Sequence, residues 1–166
     1  MDKSKYIAKG GLFTSLTVII LYISSIIPTS KLTLLAITTS IISISILSID
    51  IRASFIVYIS CFILSFILGL KGLSISYLLF FGLYAFMKYY IEGLRKPFLE
   101  ILLKLIFFNI SMLILFYIYK QLSFPIPSMN IPYYILLLIL QVVFIIFDYA
   151  LTLIISQITI YIKKIL

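Results

Sequence analysis

Very few polar side chains lie inside the long apolar runs of this chain, and these are the groups able to do chemistry there. Asp148 is the one acid well inside such a run, and Lys104 lies one turn into another. Asn109, Gln141 and Gln157 are the uncharged members. A charge or amide in hydrocarbon is costly, so it pairs with a partner or serves a ligand or coupling ion. Gln141 and Asp148 are seven residues apart, and about 700° of helical rotation puts them on one face. Interhelical hydrogen bonding is one use for such a face, and ligand binding or coupling is the other. Tyr77 and Tyr84 share the same seven-residue spacing, which suits stacking on a planar ligand or packing against other helices.

Catalysis is not expected. The 166 residues contain no histidine, which removes the commonest general base and metal ligand. Neither HExxH nor GxSxG occurs, and no acidic pair stands within an apolar run. Cys61 is the single cysteine, so neither a disulfide framework nor a metal cluster can form. No cofactor is implied. The excess of 13 Lys+Arg over 5 Asp+Glu does not indicate nucleic acid, because the basic residues stand singly or in small groups at the ends of apolar runs. There they act as topology signals and lipid-headgroup anchors.

The elements that must carry these side chains follow from composition. With 64% hydrophobic and 11% charged residues and a mean hydropathy of +1.28, the chain has too little polar surface to clothe a soluble body. Lipid is the natural solvent. Six apolar stretches are expected to be membrane-spanning helices, at 10–27, 32–49, 53–70, 73–90, 101–119 and 133–162. They make a single all-α transmembrane domain over 1–166, a compact bundle of six helices in the cell membrane. Lys71-Gly72 is the only divider between the third and fourth, so that turn must be tight and the two helices antiparallel neighbours. The longest loop, Lys120 to Pro132, holds Pro125, Pro127 and Pro132, which exclude a regular helix. The last run has 30 residues, about 45 Å of helix, and must tilt, bend or protrude from a core of ~30 Å. Lys3, Lys5 and Lys9 precede the first run, but no cleavage site follows before Pro28, so a removable leader is not expected.

Orientation follows from the basic residues. With the amino terminus inside, Lys3, Lys5, Lys9, Arg52, Lys88, Arg95, Lys96, Lys104, Lys163 and Lys164 lie on the inner side, and Lys31, Lys71 and Lys120 outside, ten against three. Both ends are then cytoplasmic. Lys104 comes about 7–10 Å from the inner surface and Asp148 about 22 Å from the outer one. In a ~30 Å core these are the same level on sequence-adjacent antiparallel helices, which predicts an ion pair. Tyr89, Tyr90, Tyr133 and Tyr134 fit the interfacial belts. The hydroxyls of the second run, Thr38, Thr39, Ser40, Ser43, Ser45 and Ser48, either bond their own helix or form a packing face.

The opening of the chain carries one further pattern. Ala8-Lys9-Gly10-Gly11-Leu12-Phe13-Thr14-Ser15-Leu16-Thr17-Val18 follows a basic start and precedes Ile27-Pro28. Gly11 and Ser15 form a small-xxx-small pair, which lets another helix backbone approach closely. With the size, helix count and topology, this stretch resembles the substrate-binding S components of energy-coupling factor transporters for vitamins and related micronutrients. The resemblance implies a membrane-embedded binding subunit whose outer loops close over a small molecule. It also implies that the first helix docks on a transmembrane coupling subunit, itself served by ATPases. Where S components carry alanine-x-x-x-alanine, this chain has Gly11 and Ser15, which keep the size but not the residue type. On this reading Tyr77, Tyr84, Asn109 and Gln141 are the candidate ligand contacts. The chain also looks like the D-type rod-shape-determining membrane protein, a non-catalytic scaffold of cell-envelope or sporulation machinery.

Overall fold

The computed structural model describes residues 3–27, 29–122 and 133–165, with the backbone alone at 3, 133–134 and 161–165. Pro28, the proline-bearing segment 123–132 and the side chains of Tyr133, Tyr134, Lys163 and Lys164 lie outside the described residues. Every regular element among the described residues is a helix: α1 Lys3–Ile26, α2 Lys31–Ser48, α3 Ile51–Ile67, α4 Lys71–Glu92, α5 Pro97–Gln121 and α6 Tyr133–Ile165. Five of them are long and apolar enough to cross a membrane. The sixth, α3, has 17 residues, about 25 Å of rise, slightly short of a ~30 Å core.

Several boundaries differ from the expectation, three of them for a clear local reason. Helix α1 starts at Lys3 rather than near residue 10, because Lys5 and Lys9 are good helix formers and polarity does not stop a helix. The third helix ends at Ile67, not Leu70. Gly69, at φ 81°, takes the left-handed conformation that favours glycine. Its N–H bonds the Phe66 carbonyl at 3.0 Å while the Leu70 N–H bonds that of Ser65 at 3.1 Å, the paired closure of a Schellman end. Lys71 and Gly72 therefore open α4 instead of dividing the helices. Helix α5 begins at Pro97, which as a first-turn residue loses no helical hydrogen bond, and Glu100 beside it faces the positive end of the helix dipole.

The chain divides into two compact units, Met1–Gly93 and Leu94–Leu166. In the first, α1 packs on α2 and α3, and α2 on α3 and α4. The α2–α3 connection is two residues long, and the Asp50 carboxylate accepts the Ile51 N–H at 2.7 Å. The hydroxyl face of α2 is the packing face: Thr38, Thr39, Ser40, Ser43 and Ser45 are buried, and Ser45 bonds Ser54 of α3 oxygen to oxygen at 2.8 Å. Small side chains let the backbones close up, and of these hydroxyls all but that of Thr39 have a hydrogen-bond partner.

The second unit is the antiparallel pair α5 and α6. Lys104 Nζ donates to Asp148 Oδ2 at 2.7 Å. Four residues further along α5 and four back along α6, the rings of Phe108 and Phe144 stack at 4.6 Å. That register carries Pro97 level with Ile155. The 33 residues of α6 therefore run about ten residues, or 15 Å, past the start of α5. The surplus length anticipated for the last helix falls at its carboxyl end, in an unbroken helix.

Candidate functional site

In the first unit the chemistry gathers around an irregular turn in α4. Residues Tyr77–Phe81 form a π turn, in which the Gly82 N–H reaches back to the Tyr77 carbonyl. That bond spans five residues, where an α-helix would use the Leu78 carbonyl. Leu78 is thereby deprived of its helical donor, and the Tyr58 hydroxyl of α3 donates to it at 2.6 Å. Gly82 makes room for this arrangement. A Cβ there would lie 2.6 Å from Cδ2 and Cε2 of Tyr58 and 3.0 Å from Cζ of Tyr77. One glycine, one tyrosine hydroxyl and one displaced carbonyl thus hold the turn, a feature that marks functional positions in many helices.

The π turn also changes the relation of the two candidate tyrosines. It takes up about one extra residue, so the helix beyond it is rotated by about 100° from the straight α register. Tyr77 and Tyr84 consequently do not share the single stripe that their spacing implied. The Tyr77 ring sits 5.7 Å from Tyr58, whereas Tyr84 stacks on Phe80 at 6.0 Å. Both are fully buried. Beside Tyr77 lies Cys61 of α3, whose thiol donates to the Thr14 carbonyl of α1 at 3.7 Å.

In the second unit the polar residues form two rungs. Lys104 and Asp148 make one. At the other, Gln141 Nε2 approaches Asn109 Oδ1 at 3.4 Å, and Asn109 donates back to the Leu105 carbonyl at 2.8 Å. The stacked phenylalanines lie between them. Gln141 and Asp148 share one face of α6, whereas Lys104 and Asn109, five residues apart, stand about 140° apart around α5. The structure thus brings Lys104 to Asp148 and Asn109 to Gln141, while Tyr77 and Tyr84 belong to the other unit. Comparison with protein-family models, curated proteins and solved structures finds no match for this chain. Among the described residues, no group of three or more His, Cys, Asp or Glu side chains could hold a metal ion.

Gly11 and Ser15 stand on the outside of α1. A Cβ on Gly11 would meet nothing within 4 Å, and the exposed Ser15 hydroxyl bonds the Leu12 carbonyl of its own helix at 2.9 Å. Lys88, counted above as an inner topology marker, is buried and paired with Glu92 at 2.6 Å, one helical turn on. Lys88 and Lys104, both expected on the inner side, are thus ion-paired within the protein.

Sequence reasoning missed Tyr58, Gly82 and the Lys88–Glu92 pair. The i,i+4 spacing of Lys88 and Glu92 was a usable signal. Gly82 in mid-helix, where glycine costs about 1 kcal/mol relative to alanine, was another. Nothing in the sequence marks Tyr58 as the hydroxyl that reaches Leu78.

Proposed function

We propose that this chain is a multi-pass membrane protein with both ends in the cytoplasm. In this reading it serves, without catalysis of its own, as the membrane-embedded binding subunit of a micronutrient uptake transporter. The observation that carries the reading is the open small-residue face of α1. Gly11 and Ser15 take no part in packing within their unit, although small residues on an apolar helix are the usual means of close helix–helix contact. A transmembrane coupling subunit fits that face, and its ATPases would then drive uptake.

A scaffold role is the second reading, favoured by the complete burial of Tyr77 and Tyr84. Rings enclosed on all sides contribute to a packed core rather than to an open ligand site. A native mass spectrum of the detergent-purified protein separates the two. The transport reading expects a retained small molecule or coupling subunits. It also expects the double variant Gly11→Leu/Ser15→Leu to fold normally yet lose about 1–3 kcal/mol of association. If the double variant cannot fold alone, α1 packs internally and the docking reading fails.

A further inference from the structure

The turns on either side of α3 have no spare length. Ile49 and Asp50 alone join α2 to α3, and Leu68, Gly69 and Leu70 alone join α3 to α4. At one end the Asp50 carboxylate is held on the Ile51 N–H at 2.7 Å, with exposed Arg52 beside it. At the other end the Gly69 turn closes the helix through its bonds of 3.0 and 3.1 Å, and exposed Lys71 follows. Between these limits α3 has 17 residues, about 25 Å of rise. Helix α2, which shares the Asp50 turn, has 18, about 27 Å.

These limits are set by backbone, not by side chains alone. A lysine or arginine can snorkel to the headgroups from below the surface, but a turn cannot. The first N–H and last C=O groups of a helix lack intrahelical partners, and hydrocarbon supplies none, so both turns must reach headgroups or water. Tilting the helix only reduces the depth that it covers. The hydrocarbon beside α3 is therefore about 25 Å deep or less, against ~30 Å in an average bilayer. The outward face of α3 is apolar from end to end, with Ile56 exposed in its first half and Ile63 and Ile67 in its second. The second unit has other dimensions, since α5 alone has 25 residues, about 37 Å.

We propose that the outward face of α3 is a surface for short-chain phospholipid, fitted to a hydrocarbon core about 5 Å thinner than average. The inference rests on the membrane-spanning reading above and adds which lipid this helix takes. A long-chain lipid beside α3 has to compress its chains to bring its headgroups level with the two turns, whereas a short-chain lipid meets both turns undistorted. Short chains therefore gather along this face in preference to longer ones.

The chain contains no tryptophan, so a single introduced one reports the lipid at its own position. Ile56→Trp and Ile63→Trp place it on one face of α3, seven residues apart, and Leu113→Trp places it at an exposed position of α5. Each full-length variant is reconstituted in phosphatidylcholine vesicles whose chain length sets the core from about 24 Å to about 33 Å. A brominated phospholipid competes for the reporter and quenches it. Binding at both α3 positions should be strongest near a core of about 25 Å, about threefold above that of lipid with a ~30 Å core, while Leu113→Trp should favour a thicker core. The two α3 variants are independent, so one that fails to fold leaves the other to decide. A flat dependence at α3, a maximum there at ~30 Å or more, or the same thin optimum at Leu113 overturns the proposal and leaves the membrane-spanning reading intact. Absence of quenching at all three positions overturns both.

Discussion

Replacing Gly82 with alanine sets two opposing effects against each other at the π turn. Alanine favours the helix by about 1 kcal/mol over glycine, and Gly82 has an ordinary helical φ of −73°, so local propensity alone predicts stabilisation. The added Cβ, however, would lie 2.6 Å from two atoms of the Tyr58 ring and 3.0 Å from Tyr77. Neither ring can withdraw freely. Tyr58 is tied to the Leu78 carbonyl at 2.6 Å, and Tyr77 is fully enclosed. Overpacking of this kind costs about 1–3 kcal/mol, and displacing Tyr58 from Leu78 adds about 1 kcal/mol. Subtracting the propensity gain leaves a net loss of about 1–3 kcal/mol. The measurement is the unfolding free energy in a denaturing-detergent titration. It should be repeated in a Tyr58→Leu background, where the same alanine should cost less than about 1 kcal/mol. A Gly82→Ala protein more stable than the original by about 1 kcal/mol would refute the reasoning, because the rings would then not be fixed where the turn requires them.

Tyr58→Phe isolates the hydroxyl. It leaves the ring packing intact and strips the Leu78 carbonyl of its donor, so stability should fall by about 1–2 kcal/mol, and an unchanged midpoint would show that the carbonyl has another partner. For the second unit, a cycle of Lys104→Met and Asp148→Asn should give a coupling of about 1 kcal/mol or more. Each single variant should be the worse for leaving one charge uncompensated. A coupling near zero would mean that the pair contributes nothing to holding α5 against α6.

The large features were legible because hydrophobic run length and charge position decide them. Six apolar stretches gave six helices, and the depth argument for Lys104 and Asp148 needed only helical rise and chain direction. The missed features depend on interactions between helices. The π turn arises where Tyr58, from another helix, supplies the hydrogen bond that α4 gives up, and no periodicity within residues 71–92 encodes that. The shared face assigned to Tyr77 and Tyr84 failed for the same reason, since a seven-residue spacing holds only along an unbroken α-helix. The end of α3 was misplaced because two glycines stand close together. Only the backbone shows that Gly69, and not Gly72, takes the left-handed conformation.

The central claim is that these helices cross a membrane with the basic side inward, and single-cysteine labelling tests it most directly. In a Cys61→Ala background, an impermeant thiol reagent applied to intact cells should modify Lys31→Cys, Lys71→Cys and Lys120→Cys. It should reach Lys5→Cys, Arg52→Cys and Lys96→Cys only after the cells are opened. Labelling of the second group on intact cells with protection of the first would reverse the orientation. Equal labelling of both before lysis would contradict a membrane-spanning arrangement altogether.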